Sequence, residues 1–202
     1  MKPTVAVAFT GASGMPYGLR LLECLVRAGA CVYLMYTQAA HVVAKQELDL
    51  ALPPRAADAE RLFAERCSAK PGQLRVFGRE DWFAPVASGS NPPNAMVICP
   101  CTMGTLGSIA AGLSENLIER AADVMLKEGR KLIVVPRETP FSALHLENML
   151  KLARAGAVIL PANPGFYHHP ERIEDIVDFI VARILDHLGV AHDLTQRWGK
   201  ER

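Results

Sequence analysis

Ala95-Met96-Val97-Ile98-Cys99 runs without a polar side chain into Pro100-Cys101-Thr102-Met103-Gly104-Thr105. A continuous apolar run of this length reads as a strand covered on both faces. The small-residue loop carries two threonine hydroxyls, and a helix-like segment follows it, so a strand hands over to a helix here. In an open α/β sheet such a junction holds anionic ligands, because first-turn N–H groups lack partners and the helix dipole favours negative charge. Further on, Asn116, Arg120, Asp123 and Lys127 recur at helical spacing opposite Leu117, Ala121 and Val124. Spacing alone makes that stripe a solvated helix face.

Working outward, strands and helices alternate. Strands are expected at Val5–Phe9, Cys31–Tyr36, Leu74–Phe77, Ala95–Cys99, Leu132–Val135 and Ala157–Leu160. Helices are expected at Pro16–Ala28, Ala39–Gln46, Ala57–Ala69, Met103–Gly112, Asn116–Glu128, Ser142–Ala155 and Ile173–Leu188. Pro16 suits a first turn, and Gly29, Gly129 and Gly156 suit helix exits. The pattern predicts an α/β fold: a single domain over residues 1–190 with a doubly wound, mainly parallel sheet. A polar tail, 191–202, follows, and its Trp198 packs on its own surface or docks on a neighbouring subunit.

Of the 202 residues, 50% are hydrophobic and 21% are charged, which fits a globular core and excludes a disordered chain. A net charge of +1 without a long basic run argues against a nucleic-acid partner. No apolar stretch approaches the ~20 residues of a membrane span, and the start lacks a secretory apolar region. Cys24, Cys31, Cys67, Cys99 and Cys101 form no C-x-x-C pair, as expected of reduced thiols in a cytoplasmic protein. Cys99-Pro100-Cys101 without a matching His or Cys pair is better read as packing than as a metal site.

Three further loops bear chemistry. Thr10-Gly11-Ala12-Ser13-Gly14 ends the first strand: its glycines permit close backbone approach to a ligand, and Ser13 can cap the next helix or bond a phosphate. The loop reads equally as a capped tight turn. It is not a G-x-G-x-x-G fingerprint, and Thr37 stands where a ribose-binding acid belongs, so a mononucleotide fits better than NAD. Pro136-Arg137-Glu138-Thr139-Pro140 follows the fifth strand, where Arg137 can hold a phosphate or stack on a flat ring. Thr139 before Pro140 reads as a helix N-cap. In Pro161–Pro170, Phe166 and Tyr167 can wall an apolar pocket, while His168 and His169 read as surface histidines before metal ligands. With no nucleophile elbow and no Walker loop, catalysis is left to electrostatics, orientation and a borrowed cofactor.

Five ordered blocks, Thr10–Gly14 with Tyr17-Gly18, Cys99–Leu106, Asn116–Val124, Pro136–Pro140 and His145–Met149, resemble the UbiX-type flavin prenyltransferases. The resemblance runs from about Val5 to Leu188 and continues to Trp198; the family usually has Ser where Thr102 keeps the hydroxyl. It implies a Rossmann-like flavoprotein fold and a metal-independent transferase of ubiquinone biosynthesis. The implied reaction joins a dimethylallyl group from dimethylallyl monophosphate to N5 and then C6 of reduced FMN. Its product, prenylated FMN, serves UbiD-type decarboxylases, and the implied assembly is a homododecamer with sites near subunit interfaces.

By the same resemblance, Gly11, Ala12, Ser13, Thr37, Thr102, Met103, Gly104, Thr105 and Arg137 would line the flavin. Ser13 and Glu47 would handle protons near flavin N5, with Glu138 a third catalytic group. Arg120, Lys127, Arg137, Glu138, Tyr167 and Arg183 would gather round the prenyl phosphate, some from a neighbouring subunit. Ser88, Gly89 and Ser90 match a loop beside it, and Trp82 and Trp198 are aromatic walls. Two alternatives share the fold: a flavin-dependent cysteine decarboxylase and a non-catalytic FMN-binding subunit. Pro161-Ala162-Asn163-Pro164-Gly165-Phe166 departs from the decarboxylases' Asn/Met-rich clamp, and the second alternative leaves the cationic residues without a purpose.

Overall fold

A computed structural model describes residues 3–196 and 199 of the chain. Its strands are β1 (Thr4–Phe9), β2 (Cys31–Tyr36), β3 (Leu74–Val76), β4 (Ala95–Cys101), β5 (Lys131–Pro136) and β6 (Val158–Ile159). Its helices are α1 (Met15–Arg27), α2 (Gln38–Leu48), α3 (Ala56–Cys67), α4 (Met103–Ala110), α5 (Leu117–Lys127), α6 (Ala143–Arg154) and α7 (Ile173–Leu188). The six strands pair in the order β3-β2-β1-β4-β5-β6, and every pair is parallel. The expected doubly wound sheet is therefore present, and it is wholly parallel.

Strand periodicity divides the core into two layers. Val5, Val7 and Phe9 of β1, with Val97 and Cys99 of β4, face one layer, which α1, α2, α3 and α7 cover. Ala6, Ala8, Met96, Ile98 and Cys101 face the other, under α4, α5 and α6. At about 25 cal/mol per Å² of apolar surface, two such layers supply the main stabilisation. The chain reverses winding between β1 and β4, so the switch point lies between their carboxyl ends. Both sequence-quoted loops open there.

Four local expectations change. β4 runs through Pro100 to Cys101, with a cis Cys99–Pro100 peptide and a register shift against β5 between Ile98 and Cys101. Pro85–Ala87, expected as loop, is a short 3-10 turn. Thr139 does not cap α6; Ser142 does, accepting from His145 N–H (3.3 Å) while His145 Nδ1 accepts from Ser142 N–H (3.2 Å). Asn116 leaves the solvated stripe to cap α5, its Oδ1 accepting from Ile118 and Glu119 N–H at 3.1 Å. Among the described residues no helix is long and apolar enough to cross a membrane. The tail packs on its own chain at least to Leu194, which lies against the first core layer.

Candidate active site

Thr10 ties the two switch-point loops together. It is fully buried; its hydroxyl donates to Pro100 O and accepts from Thr102 N–H, both at 2.8 Å. Sequence reading quoted Thr10 but gave it no role, because a hydroxyl's long-range partner leaves no local signature. With Thr10 consumed internally, Gly11, Ala12 and Ser13 are held beside the 102–105 loop.

Both glycines of this loop have roles in packing and backbone conformation. A Cβ on Gly11 would lie 2.4 Å from Ala39 Cβ, so the bare Cα is what lets α2 pack against this loop. Gly14 has φ 113, a left-handed conformation that a side chain disfavours, and it opens α1. Ser13 does not cap that helix. Glu47, near the end of α2, caps it instead: its carboxylate accepts from Gly14 N–H (3.0 Å to each oxygen) and from Met15 N–H (2.9 Å). Glu47 is thus half-buried and fixed next to the exposed Ser13, rather than free on the surface. Nearby, burial pushes the Tyr17 phenol above its usual range, helped by Cys99 and the Glu47 carboxylate.

Two other helix N-termini converge on this edge. Thr37 caps α2, accepting from Ala40 N–H (3.3 Å), and Thr102 caps α4, accepting from Thr105 N–H (3.1 Å) and donating to Thr105 Oγ1 (3.0 Å). Each N-cap Thr retains capacity for a ligand, and the first-turn N–H groups of Met103 and Gly104 have no carbonyl one turn back. Since Glu47 already neutralises the start of α1, the α2 and α4 starts are the ones left for an added anion. Arg137 follows β5, its N–H bonded to Cys101 O at 3.3 Å. Its Nε is buried without a partner, one of only two residues with such an atom among those described. Glu138 beside it accepts from Thr139 N–H (3.2 Å). A buried, unpartnered Nε on an arginine next to the α4 start, on the same sheet edge as the α2 start, fits a phosphorylated, flat, acceptor-rich group such as FMN.

The remaining sequence-named residues lie elsewhere. Arg120 on α5 donates from Nε to Ala87 O (3.0 Å) and pairs with Asp123 (2.7 Å). Lys127 closes α5 and pairs with Glu128, against which Gly89 packs so closely that an added Cβ would stand 2.0 Å from Glu128 Oε1. Ser88 Oγ and Ser90 Oγ meet at 2.9 Å across that glycine. Lys127 shortly precedes Lys131, the first residue of β5, whose six residues span about 20 Å before Arg137. Arg183 sits on α7, paired with Asp186 (3.0 Å), one turn before His187, whose carbonyl accepts from Lys131 Nζ. Arg120 and Lys127 on α5 and Arg183 on α7 thus stand on helices that cover opposite faces of the sheet. Tyr167 and Trp82 are on exposed segments, and Trp198 lies outside the described residues. His168 is not the surface histidine expected: both ring nitrogens are buried, and the ring stacks on Phe179. Among the described residues no three His, Cys, Asp or Glu side chains gather as a metal site.

Fold and site together define a parallel α/β flavoprotein of the FMN-binding kind, and residues 1–185 match the family model described as Flavoprotein. Flavin prenyltransferase UbiX of Pseudomonas aeruginosa is 57% identical over 197 residues, spanning 98% of this chain and 94% of that one. The UbiX of Methanothermobacter thermautotrophicus is 48% identical, spanning 98% and 96%. The chain belongs to the UbiX flavin prenyltransferase family. Its structure superposes on a UbiX crystal structure in complex with FMN and dimethylallyl pyrophosphate with a TM-score of 0.88, at 38% identity and full coverage of both chains. A dodecameric FMN-dependent UbiX-like decarboxylase from Escherichia coli O157:H7 gives a TM-score of 0.85 at 39% identity, covering 98% of this chain and 100% of that one. A PPC decarboxylase mutant at 16% identity and TM-score 0.60 shares the fold alone.

Proposed function

We propose that this protein transfers the dimethylallyl group of dimethylallyl monophosphate to reduced FMN, at N5 and C6, as a metal-independent cytoplasmic enzyme. The observation that carries the reading is the buried, partnerless Nε of Arg137 at the end of β5, next to the Thr102-capped start of α4, in a chain of this family. Gly11, Ala12, Ser13, Thr37, Thr102, Met103, Gly104, Thr105 and Arg137 would hold the flavin. Bound and reduced, it supplies an electron-rich ring as acceptor for the prenyl carbon.

The chain's own residues would supply the rest. Breaking the allylic C–O bond leaves negative charge on phosphate, which Arg120, Lys127, Arg137 and Arg183 would stabilise with help from Tyr167, Ser88, Gly89 and Ser90. Glu47 is supported as the proton-handling carboxylate by its fixed place beside Ser13, and Glu138 as a second by its place beside Arg137. Because α5 and α7 flank opposite sheet faces, gathering all these cations on one phosphate requires more than one copy of the chain. A homododecamer would meet that need, and the part of the tail beyond Leu194, with Trp198, would dock on a neighbouring copy. The product, prenylated FMN, would pass to a UbiD-type decarboxylase. Anaerobic incubation with reduced FMN and dimethylallyl monophosphate should release inorganic phosphate in step with flavin consumed. Phosphate release that is indifferent to flavin would refute the reading.

A further inference from the structure

His168 shares with Arg137 the rare condition of buried, unpaired side-chain nitrogens, yet the reaction assigns it nothing. Its loop begins beside Arg137: Ala162 N–H donates to Pro136 O at 3.1 Å, extending the ladder of β6 along β5. The loop then turns at Phe166–His169, where His169 N–H donates to Phe166 O (3.1 Å) and His169 takes φ 52. At this turn the His168 ring lies flat on Phe179 of α7, with centroids 5.4 Å apart and planes at 11°. Other aromatic contacts, such as Phe9–Phe63 and Tyr33–Phe77, are edge-on. Phe179 also backs Gly165, where an added Cβ would stand 3.0 Å from the Phe179 ring and 3.0 Å from the Tyr167 ring.

We propose that Phe179 is a platform on which Gly165 and His168 seat the Pro161–Pro170 loop, making His168 a positioning residue that sets Tyr167 for the prenyl phosphate. Gly165 leaves just enough room for the Tyr167 ring to lie against the backbone over Phe179. The His168 stack clamps the far side of the turn, so the ring before it cannot swing away. Flat contact, not imidazole chemistry, carries this task, since neither ring nitrogen has a partner among the described residues. The inference rests on the prenyl-phosphate reading of Tyr167.

The test measures FMN affinity, thermal midpoint, and kcat and KM for dimethylallyl monophosphate in five variants. Tyr167→Phe should raise the KM, which checks the underlying reading. His168→Ala and Gly165→Ala should each raise that KM on the order of tenfold, with FMN affinity within about twofold of the parent. Phe179→Leu should behave like His168→Ala. His168→Phe, which keeps a flat ring, should restore a KM near the parent's. If Tyr167→Phe raises the KM while His168→Ala and Gly165→Ala do not, the platform is wrong and the reading stands. An unchanged KM in Tyr167→Phe overturns both. Equal loss of FMN affinity in His168→Ala, or failure of His168→Phe to restore KM, also overturns the platform.

Discussion

Replacing Glu47 by glutamine separates two tasks that the structure gives one carboxylate. The first is structural: both oxygens accept from Gly14 N–H and one also accepts from Met15 N–H, so Glu47 caps α1 across 33 residues of sequence. A glutamine keeps one accepting oxygen but turns an NH2 towards a backbone donor and removes the charge at the helix start. Charge-assisted hydrogen bonds contribute on the order of 1.5–3 kcal/mol, and a helix-end charge about 0.3–1 kcal/mol. Glu47 is half-buried and one bond survives, so the expected loss is about 1–2 kcal/mol. In a chain of this size that lowers the thermal midpoint by roughly 2–8 °C. The second task is the proposed proton transfer, whose loss typically costs on the order of 10²–10⁴ in rate. Calorimetry gives the first quantity, and anaerobic stopped-flow spectroscopy well below the variant's midpoint gives the second. Glu47→Gln should bind FMN while turnover collapses far beyond what its stability loss explains. Fully cyclised product at the parent rate would refute the proton-transfer role, and an unchanged midpoint would refute the capping role.

Three other outcomes follow from named contacts. Arg137→Ala should weaken FMN binding about ten- to a hundredfold, as the loss of one charge-assisted donor implies, with little change in melting; calorimetric titration checks it, with NAD as a much weaker comparison ligand. Mixed oligomers of inactive Arg137→Ala and inactive Lys127→Ala subunits should recover part of the parent activity, because some sites then receive both intact groups from different copies. The Tyr36 phenol, which donates to Pro53 O at 2.6 Å, is pushed by burial from 10.0 to about 12. Folding favours its protonated form, so that contribution is complete below about pH 10 and is lost as pH rises towards 12, which alkaline melting curves should show.

The sheet was readable because β1, β2, β4 and β5 each carry an apolar run long enough to be covered twice, and glycine exits at Gly29, Gly129 and Gly156 each take a positive φ. The Thr102 loop was readable because its N-cap hydroxyl is local in sequence. What escaped reading depends on distant contacts. Glu47 capping α1, Thr10 joining two loops and Gly11 yielding to Ala39 are all side chains answering partners outside their own segment. Helical spacing placed Arg120 and Lys127 correctly on α5 but carried no information that α5 and α7 flank opposite faces of the sheet. His168 was read as a surface histidine for want of a third ligand at metal-binding spacing, since nothing near it in sequence announces Phe179.

The central claim is that Arg137 and the helix starts on its sheet edge hold an FMN that this protein prenylates. Mass spectrometry of the flavin recovered after anaerobic incubation with reduced FMN and dimethylallyl monophosphate tests it most directly. The account predicts a flavin heavier by one prenyl unit, formed by the parent protein and lost with Arg137→Ala. FMN recovered at its original mass from folded, flavin-loaded parent protein would contradict it.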